Sequence, residues 1–308
     1  MKGLGILCPG QGNQHPAMFD KLLNCPAAES ALESAVSAFG SHPGEYLRQL
    51  APQDLFCNRP AQLLIGTLQM ATWAALCERL PLPNVFAGYS MGELAAYGCA
   101  GALGLEETLA LMARRAMLMD EASPRPAGLL AIRGPGREQV DALCRASGCE
   151  IAIINNPDHF VLGGPAETLD RCENSPLAAK ATTVKRLQVN VPSHTSWLYE
   201  AGRHFTDELH ASSLNDPPYP VLAGVSGSVV RSREQAISAL GQQISNPINW
   251  MACMQTAVEM GCGVVLELGP GNALAKMVQE AFPDISVRSV EDFRSLEGVV
   301  AWVEKQCL

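Results

Sequence analysis

A short apolar run that ends in Gly-x-Ser-x-Gly constrains the fold of this chain more than any other segment. It spans residues 85–93 (VFAGYSMGE), and a long helical pattern follows from Glu93. A strand that turns sharply into a helix holds a serine on a tight turn, with its hydroxyl exposed as a nucleophile. The helix N-terminus supplies backbone N–H groups and a positive dipole end where an oxyanion forms. The pattern predicts an α/β sheet with Ser90 as the candidate catalytic nucleophile.

Composition and charge are typical of a compact globular enzyme and narrow its partners. The 308 residues are 47% hydrophobic and 17% charged, which is enough for a large buried core. The net charge of −9, without a basic block, argues against nucleic acid and anionic membranes as partners. No stretch reaches the roughly 18 apolar residues of a membrane span. Residues 1–9 contain too short an apolar run for a signal peptide.

The cysteines carry no sign of a structural site. Eleven of them are scattered without a Cys-x-x-Cys pair, and the most closely spaced two are Cys144 and Cys149. A disulfide or zinc framework needs tighter, paired spacing, so small buried side chains in a reducing compartment are the better interpretation. We therefore expect a cytoplasmic protein that binds no metal and no cofactor.

The order of predicted strands and helices indicates two lobes. In the first part, strands 4–8 and 85–87 alternate with helical patterns at 60–80 and 92–120, the latter interrupted near 101–104. This alternation predicts a parallel sheet covered on both faces. After residue 126 the predicted order is βαββαβ, as in a ferredoxin-like fold, with strands 128–133, 150–155, 159–163 and 183–189 and helices 137–146 and 166–180. The α/β alternation then resumes, with helix 192–209, strand 219–223, helix 248–260, strand 264–268 and a helix from residue 273.

We predict an α/β-hydrolase-like large domain with a parallel central sheet, formed by residues 1–126 and 191–308. Residues 127–190 form an inserted ferredoxin-like subdomain. Two lobes imply a cleft between them, which is a favoured place for a ligand.

A nucleophilic serine needs a base, and the chain offers the histidines His15, His42, His159, His194, His204 and His210. His194 is the best placed, because it lies where the predicted subdomain returns to the large domain. Pro192 fixes the backbone before it, and a rigid turn can hold a base in a fixed position at a cleft. His204 and His210 have the pattern of helix-surface residues.

Two further segments carry candidate polar contacts to a substrate. The loop 9–14 (PGQGNQ) follows the first strand and either presents N–H groups and the amides of Gln11 and Gln14 to an anion, or is a plain turn. Arg114 and Arg115 lie in an otherwise apolar helical stretch, where a buried arginine is costly unless it meets a carboxylate. We expect one of them to face solvent. The other either clamps a substrate carboxylate or pairs with Glu93 or Glu121.

Together these motifs resemble the malonyl-CoA:acyl carrier protein transacylase family over nearly the whole chain. Residues 10–14 resemble its GQGxQ loop, which implies that the Gln11 backbone N–H donates to the oxyanion. Residues 88–93 resemble its GHSxGE motif, which implies Ser90 as nucleophile and the Met91 N–H as the second donor.

The resemblance extends to the remaining site residues. Arg115 has the family's offset from the nucleophile, which implies that it binds the malonyl carboxylate. Residues 192–194 (PSH) are similar to the segment that carries the general base, with Ser193 as in malonyl-using members. Asn246 matches the residue that orients the histidine through a carbonyl oxygen. The implied substrate is malonyl-CoA, and the implied partner is an acyl carrier protein.

One position departs from the family pattern, because Tyr89 stands where the family usually has histidine. A tyrosine there resembles the transacylase (epsilon) subunit of malonate decarboxylase, which loads malonyl onto a specialised carrier. We therefore favour this branch, with the malonyl transacylase of fatty-acid synthesis as the alternative.

Two other function classes remain open. A serine hydrolase normally has its catalytic acidic residue between the serine and the histidine in chain order. The candidates here are Asp120, Asp141, Asp158 and Asp170. None of these follows a core strand of the large domain, which argues against a hydrolase. A scaffolding subunit without catalysis is the second class, and the intact set of site residues argues against it.

For carrier docking we expect Lys180, Lys185 and Arg186, unless they are only solvated surface charges.

Overall fold

The computed structural model describes residues 2–308. Its strands are β1 (Gly3–Cys8), β2 (Val85–Gly88), β3 (Ala127–Arg133), β4 (Glu150–Asn156), β5 (His159–Pro165), β6 (Thr183–Arg186), β7 (Val221–Leu222), β8 (Val229–Val230), β9 (Ile248–Asn249), β10 (Cys262–Glu267) and β11 (Ser286–Ser289). Its α-helices are α1 (Pro26–Ser34), α2 (Val36–Phe39), α3 (Pro43–Gln49), α4 (Asn58–Leu76), α5 (Gly92–Cys99), α6 (Leu105–Ala122), α7 (Arg137–Ser147), α8 (Ala166–Glu173), α9 (Tyr199–Ala211), α10 (Arg233–Gln243), α11 (Trp250–Glu259), α12 (Ala273–Ala281) and α13 (Leu296–Cys307). Short 3-10 helices lie at Asp20–Leu22, Asp54–Phe56, Ala178–Lys180, Ser196–Leu198 and Val290–Asp292.

The larger sheet has the order β11-β10-β1-β2-β7-β8, and all its neighbours are parallel except the antiparallel pair β7 and β8. Its central strands β1 and β2 are almost fully buried, as expected for continuous apolar strands covered by helices on both faces. Helix α4 is buried along most of its length and packs against α1, α5 and α6. This confirms the predicted α/β fold with a parallel central sheet.

The second sheet has the order β6-β3-β5-β4-β9. Its first four strands come from residues 127–186, and with α7 and α8 they follow one another in the order βαββαβ. Strand β9 joins β4 from outside the predicted range 127–190, so this sheet is not built from that range alone. The domain boundaries themselves stay a prediction.

Several predicted elements have different ends, each for a local reason. The predicted helix 166–180 ends at Glu173, because Pro176 cannot continue a helix. The predicted strand 183–189 ends at Arg186. In the predicted helix 248–260, the first two residues form β9 instead, and the Asn249 side chain caps α11 by accepting from the Ala252 N–H.

The predicted helix 192–209 is the most informative difference. The α-helix begins only at Tyr199, after a 3-10 turn at Ser196–Leu198. Residues 192–195 form an irregular loop, and His194 has a φ of 64°, which breaks any helical pattern there.

Within residues 2–308, the helices are all too short or too polar to cross a membrane.

Candidate active site

Ser90 lies on the tight turn between β2 and α5, at the carboxyl edge of the larger sheet. Its φ is 56°, a left-handed conformation that side chains other than glycine rarely adopt. The turn packs closely against β1, because a Cβ at Gly92 would collide with the carbonyl oxygen of Cys8. Strain of this kind costs on the order of 1–3 kcal/mol and persists where surrounding structure imposes it. The sequence motif therefore forms the strained serine turn that it predicts.

His194 lies on the loop that leads from β6 to α9, and the rest of the chain holds that loop rigidly. Its backbone N–H donates to the Ile244 carbonyl oxygen, and its φ is also in the left-handed region. The next residues are tied to the second sheet, because the Ser196 N–H and hydroxyl both donate to the Glu150 carboxylate. The imidazole is fully buried.

The two side chains form a hydrogen-bonded dyad, with 2.7 Å between Ser90 Oγ and His194 Nε2. On the other side of the ring, His194 Nδ1 lies 2.5 Å from the Gln243 carbonyl oxygen. A carbonyl oxygen only accepts, so Nδ1 carries the proton and Nε2 presents its lone pair to the serine hydroxyl. Burial, together with the nearby Arg115 cation, lowers the pKa of His194 to about 3. The ring is therefore neutral at rest and ready to take the serine proton.

Arg115, on α6, is buried beside the dyad. Its Nη1 donates to Gln62 Oε1 and its Nη2 to Gln243 Oε1, each at 3.1 Å. Burial lowers the pKa of Arg115 to about 10, and the charge of Glu93 opposes this shift. The neighbouring Arg114 is half-exposed and pairs with Glu208 at 2.6 Å. As expected, one arginine faces solvent, and the other is a buried cation.

Glu93 lies on α5, one turn after the nucleophile, and is also fully buried. Its Oε2 accepts from Gln243 Nε2 at 2.5 Å and from the Gly224 N–H at 3.0 Å. Burial raises the pKa of Glu93 to about 7, although these hydrogen bonds and the Arg115 cation favour its ionised form. The site thus contains an acid whose charge changes near neutral pH.

The loop after β1 packs against the nucleophile turn. A Cβ at Gly10 would lie only 2.8 Å from the Tyr89 carbonyl oxygen, so only glycine allows this approach. Both ends of the Gln14 amide are used within the protein: Oε1 accepts from the Gly12 N–H at 2.7 Å, and Nε2 donates to the Leu55 carbonyl oxygen at 3.2 Å. Gln11 lines a cavity of about 400 Å³, whose wall also includes residues from both ends of the range 127–190. The cleft between two lobes stays a prediction, because the division of the chain into those lobes is itself a prediction.

Comparison with known proteins identifies the family to which these residues belong. The family model for the acyl transferase domain matches residues 6–300. The chain belongs to this acyl transferase family. It is 28% identical to the malonyl CoA-acyl carrier protein transacylase of Haemophilus influenzae, over 97% of this chain and 98% of the relative. The enzyme of the same name from Bacillus subtilis is 25% identical, over 99% of each chain.

Solved structures agree with this family assignment. The malonyl CoA-acyl carrier protein transacylase of Coxiella burnetii has a TM-score of 0.93 and 26% identity, and the match covers 100% of this chain and 98% of that one. A malonyl-transacylase solved in complex with a type II PKS acyl-carrier protein has a TM-score of 0.92 and 27% identity, covering 97% and 99% of the two chains.

The role predicted for one site residue of this acyl transferase is wrong. Asn246 is predicted to orient the histidine through a carbonyl oxygen, but the carbonyl oxygen that lies 2.5 Å from His194 Nδ1 belongs to Gln243, and the exposed Asn246 side chain donates to the Gln242 carbonyl oxygen. The carbonyl oxygen of Gln243 accepts from His194 instead, because α10 ends at Gln243 and directs this carbonyl toward the ring. Ser193, in contrast, is buried beside His194.

The two glutamines to which Arg115 donates hydrogen bonds were not predicted from the sequence. Gln62 and Gln243 are both buried in helices whose other buried residues are mostly apolar. A buried amide in an apolar helix face requires a partner, so this pattern was the available signal. The carbonyl that orients His194 left no signal, because any residue can supply one.

Tyr89, the departure from the family motif, extends away from the dyad. Its hydroxyl donates to Asn155 Oδ1 at 3.0 Å, and its ring packs edge-on against Trp250, with 5.3 Å between the ring centroids. Asn155 lies on β4, so Tyr89 connects the nucleophile turn of this acyl transferase to the second sheet.

The expected docking residues lie around the end of the second sheet. Lys180 and Lys185 are exposed, but Arg186 is committed to ion pairs with Asp170 and Glu173 at 2.7 and 2.8 Å. Arg186 therefore offers less free charge to an acidic partner than its sequence position suggested.

Proposed function

We propose that this chain transfers a malonyl group from malonyl-CoA to the phosphopantetheine-type thiol of an acyl carrier protein, through a malonyl-Ser90 intermediate. The observation that carries the proposal is the buried Arg115 cation, joined to the Ser90–His194 dyad by a single residue, Gln243. A buried guanidinium is costly, and its direct hydrogen bonds here go to two neutral amides, so a carboxylate-bearing acyl group would be its direct ionic partner. The names of the relatives support the same activity.

In the first half-reaction, His194 Nε2 takes the Ser90 proton as Oγ attacks the thioester carbonyl carbon. The backbone N–H groups of Gln11 and Met91 donate to the oxyanion of the tetrahedral intermediate. The intermediate then collapses, the C–S bond breaks, and the CoA sulfur leaves with the proton from His194. The product is a malonyl ester on Ser90, with its carboxylate on Arg115 and Ser193 beside it.

The second half-reaction reverses these steps with a new thiol. The carrier thiol gives its proton to His194 and attacks the ester carbonyl carbon. Collapse of the second tetrahedral intermediate breaks the bond to Oγ, and Ser90 regains the proton.

Water is the rival acceptor, and the environment of His194 disfavours it. In serine hydrolases a carboxylate orients the histidine, whereas Nδ1 here donates to a backbone carbonyl. Three of the four acidic residues proposed for a hydrolase are engaged elsewhere: Asp141 with Arg137, Asp170 with Arg186, and Asp120 with Asn58. A thiol needs less help from the base than water does, because it is the stronger nucleophile.

The carrier itself has two candidates. The relatives bear the general name malonyl CoA-acyl carrier protein transacylase, which favours the carrier of fatty-acid synthesis. The tyrosine at position 89, where the family usually has histidine, is the feature that keeps the specialised carrier of malonate decarboxylase as the second candidate.

The test is intact-protein mass spectrometry after mixing with malonyl-CoA or acetyl-CoA, followed by a chase with each carrier. We expect a malonyl adduct on the wild type that a carrier thiol removes, and no adduct on Ser90→Ala. Release of free malonate at the same rate without carrier would instead identify a hydrolase. A protein that is never acylated would indicate the scaffolding role.

A further inference from the structure

The two charged side chains of the site, Arg115 and Glu93, are connected inside the protein through one neutral side chain. Arg115 and Glu93 are both buried, and the amide of Gln243 lies between them. Its Oε1 accepts from Arg115 Nη2, and its Nε2 donates to Glu93 Oε2. The amide thus connects a cation to an anion, with a hydrogen bond of the correct polarity on each side.

We propose that Glu93 is the resident counter-charge of Arg115 and thereby sets how strongly the site prefers a carboxylate-bearing acyl group. The inference rests on the proposed function, because it assigns the preference to a particular side chain. Glu93 is a positioning and specificity residue here, since it acts through Gln243 and Arg115 and does not touch the reacting atoms.

The number of charges in the site changes when an acyl group binds. Without an acyl group, one buried cation balances one buried carboxylate. When a malonyl carboxylate binds Arg115, two negative charges share one cation in a desolvated site, and like charges at close range disfavour the ionised pair. Protonation of Glu93 from solvent removes the excess charge. Malonyl therefore binds best to the form in which Glu93 is neutral, whereas an acetyl group is indifferent to it.

Other groups near Glu93 do not change charge in the neutral range. His194 stays neutral and Arg115 stays cationic, because their pKa values are about 3 and about 10. Tyr97, one turn further along α5, and Cys253, on α11, both sense the charge of Glu93, and burial raises the pKa of each above its ordinary value. Between pH 6 and 8.5, the charge of this cluster therefore changes only at Glu93.

The experiment measures kcat/KM for acylation of Ser90 by malonyl-CoA and by acetyl-CoA between pH 6 and 8.5. The ratio of the two values cancels any pH effect on the dyad and on the CoA moiety, which both substrates share. We expect the wild-type ratio to fall at least about fivefold from pH 6 to 8.5, since the protonated form of Glu93 becomes scarce above its pKa.

Glu93→Gln is the decisive variant, because the amide retains an oxygen that accepts from Gln243 but carries no charge. Its malonyl-to-acetyl ratio should stay constant within about twofold across the range and exceed the wild-type ratio at pH 8.5. Glu267→Gln is the matched control: Glu267 is also buried, with a pKa raised by burial to about 8, but it caps α12. Its ratio should follow the wild type.

A wild-type ratio that does not change with pH overturns the inference without any variant. A Glu93→Gln protein that keeps the wild-type slope, or a Glu267→Gln protein that loses it, overturns it as well. In each of these cases malonyl-Ser90 still forms, so the proposed function stands. If no malonyl-Ser90 forms at any pH, the proposed function fails and the inference fails with it.

Discussion

Ser90 and His194 form a neutral half of the site, whereas Arg115 and Glu93 form a charged half, and Gln243 contacts both. The neutral half is held by strained backbone: both residues have left-handed φ values. The charged half is held by side-chain hydrogen bonds with two buried glutamines: both accept from Arg115, and Gln243 also donates to Glu93. The neutral half is suited to chemistry that any thioester undergoes, and the charged half is suited to selecting which acyl group undergoes it.

Both halves of the site contain features that destabilise a folded protein. Left-handed φ values and buried ions both cost folding free energy, and removing one partner of a buried pair costs more than the pair contributes. Their concentration within one site indicates a functional requirement. Variants of the neutral half should change the rate with all acyl groups, and variants of the charged half should change the ratio between acyl groups.

Ser90→Ala gives the largest expected effect. Without Oγ no ester forms, so the adduct should be absent with both malonyl-CoA and acetyl-CoA. Intact mass measures this directly, and thermal unfolding of the variant checks that it folds. An adduct that persists on Ser90→Ala would assign the nucleophile to another residue.

His194→Ala should lower acylation by about 10²–10⁴-fold with either substrate, because the serine loses its base. The exposed His204→Ala, on α9, is the matched control and should leave the rate unchanged. Quenched-flow acylation gives both rates. A loss confined to malonyl-CoA would contradict the division of the site into two halves.

Arg115→Ala should lower kcat/KM for malonyl-CoA by about 10–100-fold and leave that for acetyl-CoA within a few-fold, since only malonyl carries the carboxylate. Arg114→Ala is the control, because this neighbour pairs with Glu208 at the surface. Equal losses with both substrates would show that Arg115 supports the dyad and does not select the acyl group.

Glu93→Gln should produce the smallest effect of these variants, and it concerns stability. The pKa of Glu93 is raised in the folded protein from 4.5 to about 7. The contribution of Glu93 to the free energy of unfolding is therefore complete below pH 4.5 and is lost as the pH rises to 7. From pH 5 to 8, the unfolding free energy of the variant should therefore gain about 2–3 kcal/mol relative to the wild type. Urea unfolding at both pH values measures this difference, and an unchanged difference would contradict it.

Much of the fold could be predicted from sequence, because its signals are local. The interruption between α5 and α6 follows from Gly101 and Gly104, and the serine turn follows from the spacing of its glycines. The short strand β9 was not predicted, since a two-residue strand has no periodicity of its own. The start of α9 was placed too early because the backbone at His194 is set by tertiary contacts.

The candidate site was predictable only where a side chain itself carries the chemistry. Ser90, His194 and Arg115 were found for this reason. The carbonyl that orients His194 was assigned three residues too late, because a backbone oxygen has no residue type and its direction depends on where α10 ends. Gln243 and Gln62 act through contacts across long stretches of chain, which no local pattern reveals.

The division of the site into two halves is tested most directly by a competition between equal concentrations of malonyl-CoA and acetyl-CoA, read by intact mass at early times. We expect a predominantly malonyl adduct on the wild type and on Arg114→Ala. On Arg115→Ala we expect an adduct that still forms on Ser90 but has shifted toward acetyl. An unchanged malonyl preference on Arg115→Ala would show that Arg115 does not select the acyl group.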